Sequence, residues 1–300
     1  MISAIVHTFN EEKNIDRCLS SLTFADEIVL VDMGSTDKTL EIARTHKART
    51  FPHSYTGFVE PARNYAIEKS RGDWILIVDA DEEISKELAR YIKAETKNPR
   101  GDFYRVARKN IIFSKWVRHA GWWPDYQVRF FKKGSVSWVS TIHGIPVTKG
   151  SGIDIEATED LALVHHHYQN LEQYIGRLNR YTSVSAKEFY VRGTKFKLEF
   201  ILEKPLREFI SRFFAREGYK DGIFGLALSL LQAFSELVVY LKLWELEGYK
   251  QHEVSLPTLA AVAGIEKKHA VYWYINERLK QPHGLFEDLV LKIRRKLIDW

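Results

Sequence analysis

The chain has 300 residues, of which 45% are hydrophobic and 28% are charged, and its formal net charge is +5. A chain of this size and composition can bury a full core, as one large domain or as one domain with an appendage, which excludes disordered and fibrous classes. The single cysteine, Cys18, excludes an internal disulfide and fits a reducing compartment. The N-terminal segment lacks a basic region followed by a cleavage site, so we expect no signal peptide.

Strand and helix patterns alternate along the first hundred residues. The predicted strands are residues 2–9, 27–32, 48–51 and 74–78. Asn10 is placed to cap the first helix, and Pro61 opens the third, because proline suits the first turn of a helix. This order predicts a parallel sheet with helices on its faces and right-handed crossovers.

The stretch WILIVDADEE, residues 74–83, ends the central strand with two carboxylates. Alternation would place Asp79 and Asp81 on one side, at the sheet edge where open α/β folds bind ligands. Two like charges this close need compensation, and carboxylate oxygens favour Mg²⁺ or Mn²⁺ together with substrate phosphates. The pattern indicates a metal–diphosphate site. The alternative is a strand end followed by an acidic helix start, with Ser85 as a capping residue.

Two further features of this half are candidates for nucleotide contact. Asp32 ends its strand and precedes a polar turn with Gly34 and Ser35, which could hold a base or ribose or be simply a well-capped turn. Arg63 lies in the first turn of the Pro61 helix and could reach a phosphate or be an exposed surface arginine. No G-x-G-x-x-G and no P-loop pattern occurs, so neither a dinucleotide fold nor a P-loop is supported.

Four blocks together resemble a family. HTFNEEKNI (7–15), VDMGSTDKT (31–39), PARNYAI (61–67) and WILIVDADE (74–82) have the order and spacing of family 2 glycosyltransferases, which have the α/β GT-A fold. The resemblance implies inverting transfer from a nucleotide-sugar donor, with a UDP-sugar as first candidate, assisted by Mg²⁺ or Mn²⁺. The residues that it places at the nucleotide-sugar are Thr8, Phe9, Asn10, Glu11, Asp32, Gly34, Ser35, Arg63, Asp79, Ala80 and Asp81. As metal ligands it indicates Asp81, then Asp79 and a late histidine, for which we take His165.

The block GWWPDYQVRFF (121–131) is similar to the acceptor-side motif of the lipopolysaccharide-core branch of that family. Indole faces suit sugar rings, so Trp122 and Trp123 are predicted acceptor contacts, with Gln127 and Arg129 beside them. The alternative is that both tryptophans are core residues. Strands are predicted at 102–108 and 126–132, with a hairpin return over 134–139.

Asp125 is the candidate catalytic base. Inverting displacement needs one group to accept the proton of the acceptor hydroxyl, and Asp125 directly precedes a strand at the position where the resemblance puts an acid. The alternative is that Asp125 caps the strand entry or orients Arg129, and Glu82 is the second candidate base.

The histidines around 143 and 165–167 are further metal candidates, since neutral imidazole binds Mn²⁺. Relatives would carry an acid after His143, and here the residue is Gly144. Strand alternation in LALVHHHY would point His165 and His167 one way and His166 the other. A structural role for each histidine is the alternative.

From Leu171 onward the pattern is helical, and we divide the chain into a catalytic domain of residues 1–168 and a helical region of 169–300. The stretch 221–250 is the most apolar, but Glu236 makes it a poor membrane span, which leaves a buried helix or a helix resting on the membrane. Residues 285–300 are amphipathic and basic. We expect a cytoplasmic enzyme on the inner face of the inner membrane, with a saccharide or glycolipid acceptor, contact with anionic lipid and no nucleic-acid partner. Homo-oligomerisation is left open.

Other readings remain at this point. The same fold could transfer sugar to polyprenyl phosphate or to a protein side chain, and a phosphate acceptor would need no base. A non-catalytic protein that binds nucleic acid through its basic C-terminus is the reading from another class, although no DNA- or RNA-binding motif is present.

Overall fold

The computed structural model describes residues 1–54, 60–139 and 146–298. The chain divides into two compact units, each described here by itself. The sheet unit comprises Met1–Trp116 and Trp123–His167, and the helical unit comprises Val117–Trp122 and Tyr168–Trp300. The short segment Val117–Trp122 thus belongs to the helical unit, whereas the sequence-based division keeps it in the first domain.

The sheet unit alternates strands and helices in its first half and is mostly strand in its second. Its helices are α1 (Ile15–Ser21), α2 (Thr39–Thr45), α3 (Glu60–Lys69) and α4 (Lys86–Lys97). Its strands are β1 (Ile2–Thr8), β2 (Glu27–Asp32), β3 (Arg49–Pro52), β4 (Trp74–Asp79), β5 (Glu82–Ile84), β6 (Phe103–Ile112), β7 (Lys115–Trp116), β8 (Asp125–Lys132), β9 (Val136–Trp138), β10 (Pro146–Thr148), β11 (Gly152–Asp154) and β12 (Leu163–Tyr168).

The main sheet is mixed. Its strand order is β3-β2-β1-β4-β8-β6-β12-β5, with β7 and β11 paired to β6. β1 is parallel to β2 and to β4, and β2 is parallel to β3, which confirms the predicted parallel half. β8 is antiparallel to both β4 and β6, so the direction of the sheet changes next to the central strand.

Both faces of the sheet are covered. Ala4 and Val6 of β1 pack on one face with α1 and α4, while Ile5 packs on the other with α3. In β4, Leu76 and Val78 face the first layer, and Ile75 and Ile77 face the second. Burial on both sides explains why the parallel strands read as continuous apolar runs in the sequence.

Two local expectations differ from the structure. Asn10 has a left-handed φ of 56° and does not cap a helix, since α1 begins at Ile15 with Asn14 before it. β4 ends at Asp79, and Ala80 and Asp81 form a turn before β5. Strand alternation therefore does not reach Asp81, and the two carboxylates have different surroundings.

The helical unit contains α5 (Leu171–Val191), α6 (Phe200–Ile210), α7 (Ile223–Leu246), α8 (Leu256–Arg278) and α9 (Leu285–Lys296). A π-helical turn, Ser211–Ala215, continues α6, and a 3-10 turn, Gly218–Asp221, precedes α7. The sequence predicts no element for residues 251–284, and the structure shows that most of them form the helix α8.

Helix α7 is, within the described part of the chain, the one helix long and apolar enough to cross a membrane, and a third of its most apolar window is buried. One side packs inside the unit, where Leu228, Ser229 and Leu243 are fully buried. Lys242 extends from the helix and its Nζ donates to oxygens of Asn179 and neighbouring residues of α5. The other side exposes an apolar stripe, made by Ile223, Leu230, Phe234 and Leu241. The structure thus shows α7 as a packed helix with one apolar face uncovered.

Candidate functional site

The ends of β1 and β2 are joined by side-chain hydrogen bonds. Thr8 and Asp32 are paired in register, and Thr8 Oγ1 donates to Asp32 Oδ1 over 3.1 Å. Asp32 Oδ2 accepts from the backbone N–H groups of Gly34 (3.1 Å) and Ser35 (3.0 Å). Gly34 has a φ of 95°, a conformation that suits glycine. The buried Asp32 carboxylate therefore shapes the turn that follows its own strand.

The two loops beyond these strands also hold each other. The backbone N–H of Asn10 donates to Ser35 Oγ (2.9 Å), and Asn10 Oδ1 accepts from the N–H of Thr36 (2.8 Å). The N–H of Glu11 donates to Thr39 Oγ1. Phe9, between them, is 38% exposed. The structure thus brings the predicted nucleotide residues of the two loops onto one continuous edge of the sheet.

At the end of β4, Asp79 belongs to a buried charge cluster. One nitrogen, Arg129 Nη2, lies 2.5 Å from Asp79 Oδ2 and 2.6 Å from Glu82 Oε1. The other oxygen of Glu82 accepts from the N–H of Asp79 (2.8 Å), so Glu82 holds both the backbone and, through Arg129, the side chain of Asp79. Asp79 Oδ1 lies 3.5 Å from Arg63 Nη2. Both carboxylate oxygens of Asp79 face arginines.

Burial and charge set the protonation of this cluster. Burial opposes ionisation of Asp79, but Arg129 and Arg63 outweigh it and hold the pKa of Asp79 well below its usual range. For Glu82, which has no exposed surface, burial prevails over Arg129 and raises the pKa. His7 pairs with Asp79 in register, and burial, reinforced by Arg63, lowers the pKa of His7 to about 3. His7 is therefore neutral at physiological pH.

Arg129 lies at a β-bulge. The pairing of β6 with β8 passes from Tyr104–Phe130 to Arg105–Val128, which leaves Arg129 without a partner residue on β6. A bulge redirects one side chain relative to the strand's alternation. The Arg129 side chain is only 2% exposed, so the structure places it against Asp79 and Glu82. Because the side chain is buried, the structure does not support the predicted contact between Arg129 and the acceptor.

The predicted base, Asp125, is held by three neighbours. Arg108 Nη2 lies 2.5 Å from Asp125 Oδ2, Gln127 Nε2 donates to Oδ1 over 2.8 Å, and Asn110 Nδ2 donates to Oδ2 over 3.4 Å. Burial opposes ionisation of Asp125, but Arg108 and the other donors outweigh it and lower the pKa of this carboxyl. Arg108 Nη1 also lies 3.9 Å from Glu82 Oε1, which links Asp125 to the Asp79 cluster.

Asp81 and His165 form the pair that best fits a metal ion. His165 Nε2 lies 3.5 Å from Asp81 Oδ2, and both side chains are nearly buried. The N–H of His166 donates to the carbonyl of Asp81 (2.9 Å), which fixes the turn against β12. Two ligands at right angles, each about 2.1 Å from an octahedral Mg²⁺, would be about 3 Å apart, close to this separation.

Among residues 1–54, 60–139 and 146–298 there is no group of three or more His, Cys, Asp or Glu side chains that could hold a metal ion. Mg²⁺ commonly uses one or two protein ligands and takes the rest from phosphates and water. As predicted, the rings of His165 and His167 lie together, with centroids 4.4 Å apart, while His166 faces Glu83. His143 and Gly144 lie outside the described residues.

The two predicted acceptor tryptophans belong to different units. Trp123 packs edge-to-face on Trp116 in the sheet unit, with centroids 5.3 Å apart. Trp122 lies in the helical unit, where the Arg212 guanidinium sits 5.6 Å from its ring centroid. Both are partly exposed, so neither is a fully buried core residue.

Three residues of this region were not found from the sequence: Arg108, Asn110 and His7. The first two lie on β6, which extends to Ile112 and not only to residue 108. Alternation along YRVARKNII would have placed Arg108 and Asn110 on the same face as the buried Tyr104, which was the available signal. His7 carries no comparable signal, because a histidine within an apolar strand is commonly structural.

Comparison with known proteins agrees with this architecture. The family model "Glycosyl transferase family 2" matches residues 3–161. An uncharacterized glycosyltransferase of Rickettsia bellii (strain RML369-C) is 30% identical over 257 residues, which is 82% of this chain and 86% of that protein. The lipopolysaccharide core biosynthesis glycosyltransferase LpsC of Rhizobium meliloti (strain 1021) is 23% identical over 260 residues, which is 83% of this chain and 94% of that protein.

Among solved structures, Staphylococcus aureus TarS 1–349 in complex with UDP aligns over 85% of this chain and 94% of that chain, with 17% identity and a TM-score of 0.44. The family model covers more than half of the chain and includes all four sequence blocks that suggested the resemblance. The mixed sheet flanked by helices, with loops gathered at the ends of β1, β2 and β4, is the predicted GT-A fold. The chain is an enzyme that belongs to glycosyltransferase family 2.

Proposed function

We propose that this glycosyltransferase transfers a sugar, with inversion and with a divalent cation, from a nucleotide-sugar to a hydroxyl of a lipid-linked saccharide. The observation that carries the proposal is the meeting of Asp81 and His165, 3.5 Å apart, where Asp81 follows β4, the strand that pairs with β1. A UDP-sugar is the first donor to test.

The donor would lie along the sheet edge. Its nucleoside would contact the loops around Phe9 to Glu11 and around Asp32, and Arg63 would approach the diphosphate. Asp81 and His165 would hold Mg²⁺ or Mn²⁺, which when bound neutralises the diphosphate as it leaves. Asp79 remains a predicted ligand, although its oxygens face Arg129 and Arg63 in this structure. Its ionised carboxylate would act mainly by orienting Arg63.

Asp125 would accept the proton of the acceptor hydroxyl while the oxygen attacks the anomeric carbon from the face opposite the diphosphate. Arg108 stabilises the ionised form of Asp125, so this base is ready at neutral pH but intrinsically weak. Trp122, Trp123 and Gln127, which flank Asp125 in the chain, are the proposed sugar contacts.

For the acceptor, we propose a membrane glycolipid such as lipopolysaccharide core, reached at the cytoplasmic face of the inner membrane. Support comes from the relative LpsC, whose name states that role, and from helix α9. Its exposed apolar residues are Leu285, Phe286, Leu289 and Ile293, and Leu297 follows directly after the helix. The basic run of residues 292–296 lies within the same turns. An amphipathic helix of this composition binds anionic lipid surfaces.

A ligand screen tests the donor and metal parts. Thermal shift would be measured with UDP-, GDP-, dTDP- and CMP-sugars, each with and without Mn²⁺, since a ligand of the folded state raises the melting temperature. We expect one nucleotide class to stabilise the wild type in a Mn²⁺-dependent way and Asp81→Asn to lose the Mn²⁺ dependence. Glu83→Gln, two residues away and facing His166, is the matched control and should behave as wild type. A wild type that no donor stabilises with Mn²⁺ contradicts the proposal.

A further inference from the structure

Asn110 lies between the proposed metal ligand and the proposed base. The residue is 1% exposed. Its Oδ1 lies 2.7 Å from His165 Nδ1, and its Nδ2 lies 3.4 Å from Asp125 Oδ2. One amide therefore contacts two side chains to which the proposed function gives different roles, metal binding and proton acceptance.

The contact with His165 has a chemical consequence. An amide oxygen can only accept a hydrogen bond, so at neutral His165 the proton must sit on Nδ1. The lone pair is then on Nε2, the nitrogen that lies 3.5 Å from Asp81. Free neutral histidine can carry its proton on either nitrogen, and a fixed partner selects one. The amide oxygen of Asn110 thus selects the form of His165 that can bind a cation next to Asp81.

We propose that Asn110 is a positioning residue that fixes the tautomer and ring orientation of His165 for metal binding, and that its amide NH₂ group restrains Asp125 from the same place. The first part rests on the proposed function, because it assigns His165 to the metal. Partners of this kind behind a ligating histidine commonly change metal affinity by about 10- to 100-fold when removed.

The Asp125 contact distinguishes two substitutions at this position. Asn110→Ala removes both contacts. Asn110→Asp keeps an oxygen that accepts from His165 Nδ1–H but replaces the donor to Asp125 by a negative charge. Metal affinity should therefore fall in Asn110→Ala and should not fall in Asn110→Asp, because only the oxygen serves His165 and an added negative charge does not oppose cation binding.

Two measurements on the full-length protein test the proposal. Two-bond ¹H–¹⁵N spectra of histidine-labelled protein, with His165 assigned from the spectrum of His165→Gln, report the tautomer without metal. We expect the Nδ1–H form in the wild type and in Asn110→Asp, and its loss in Asn110→Ala. Mn²⁺ affinity in the presence of UDP, followed by the electron paramagnetic resonance signal of free Mn²⁺, should fall about 10- to 100-fold only in Asn110→Ala.

Asn64→Ala is the matched control, because Asn64 also bridges two elements with both ends of its amide, to the backbone of Trp138. It should leave the His165 tautomer and Mn²⁺ affinity unchanged. A wild-type His165 with its proton on Nε2, or equal Mn²⁺ affinity in wild type and Asn110→Ala, would overturn the inference. If the wild type itself binds no Mn²⁺ with any nucleotide, the proposed function fails instead, and the tautomer spectra still decide the hydrogen bond.

Discussion

Replacing Arg129 by methionine isolates the energetics of the buried charge cluster. Methionine fills a similar volume but leaves two carboxylates without their shared guanidinium. Asp79 keeps Arg63 at 3.5 Å, and 29% of its side chain is exposed. Glu82 has no exposed surface and keeps only the more distant Arg108, 3.9 Å away. Most of the unfolding free energy that Arg129→Met loses should therefore come from the unpaired charge of Glu82.

The size of that cost follows from proton uptake. Leaving a buried charge unpaired costs roughly 3–5 kcal/mol. Glu82 can limit the cost by taking up a proton, which at pH 7 requires about 4 kcal/mol for a carboxyl whose unfolded pKa is about 4.3. We expect Arg129→Met to lose about 3–4 kcal/mol of unfolding free energy at pH 7. Since the folded state then binds one proton more than the unfolded state, stability falls as pH rises, by up to about 1.4 kcal/mol per pH unit above 4.3.

Urea unfolding at pH 5.5 and pH 7.5 measures this. The loss in Arg129→Met should be smaller at pH 5.5 than at pH 7.5, by at most about 2.7 kcal/mol, because the raised pKa of wild-type Glu82 gives the wild type part of the same pH dependence. The double variant Arg129→Met/Glu82→Gln should recover about 2 kcal/mol relative to Arg129→Met, because a neutral amide needs no proton. Arg105→Met is the control: Arg105 also bonds a carboxylate, that of Asp154, but both side chains are at least 42% exposed, so its loss should stay below about 1 kcal/mol.

Two outcomes would refute this reasoning. One is a loss in Arg129→Met that does not change between pH 5.5 and 7.5. The other is strict additivity of the Arg129 and Glu82 substitutions, since residues that share a buried contact must couple.

Three further predictions concern the base, the buried histidine and helix α9. Asp125→Asn should keep donor and Mn²⁺ binding but slow transfer to a hydroxyl acceptor about 10²- to 10⁴-fold, measured as product formed per enzyme. Unchanged turnover would instead favour an acceptor that is already ionised, such as a polyprenyl phosphate. Burial lowers the pKa of folded His7 to about 3, so below pH 6.5 the folded wild type binds fewer protons than its unfolded state and loses stability on acidification. Between pH 7 and pH 5, His7→Leu should lose about 2 kcal/mol less unfolding free energy than the wild type, measured by urea unfolding. Equal losses in the two proteins would show that His7 does not cause this pH dependence. Leu289→Glu should weaken sedimentation with phosphatidylglycerol vesicles at least about tenfold without changing the melting temperature, and wild-type binding that is equal for anionic and zwitterionic vesicles would contradict the charge part of the membrane proposal.

The parallel half of the sheet was predictable because its signals are local. Trp74 to Val78 form an unbroken apolar run that is typical of a strand covered on both faces, and α3 includes Pro61 in its first turn as expected. Asp32 and its glycine turn are also adjacent in sequence. For these residues, short-range pattern and final position coincide.

The rest depends on contacts between distant residues. The place of Arg129 follows from a bulge in the pairing of β6 with β8, which strict alternation cannot show. Asn110 meets His165 across 55 positions of sequence. Helix α8 was not predicted from the sequence for another reason. Its apolar residues are spread around the helix and form no single stripe.

Strand direction explains why these distant residues meet. β8 runs antiparallel to β4, so the beginning of β8, at Asp125, lies toward the same edge as the end of β4, at Asp79. β6 runs antiparallel to β8, so its late residues Arg108 and Asn110 return to that edge, with Arg108 directly opposite Asp125 in register. The proposed donor side is thus built from loops after parallel strands, and the proposed base and its supports from the antiparallel strands themselves. Since strands hold side chains more rigidly than loops, we infer that substitutions in the β1 and β2 loops will act mainly on donor affinity, and those at Arg108 and on β8 mainly on the rate of transfer. Asn110 on β6 is the exception, because it also holds His165.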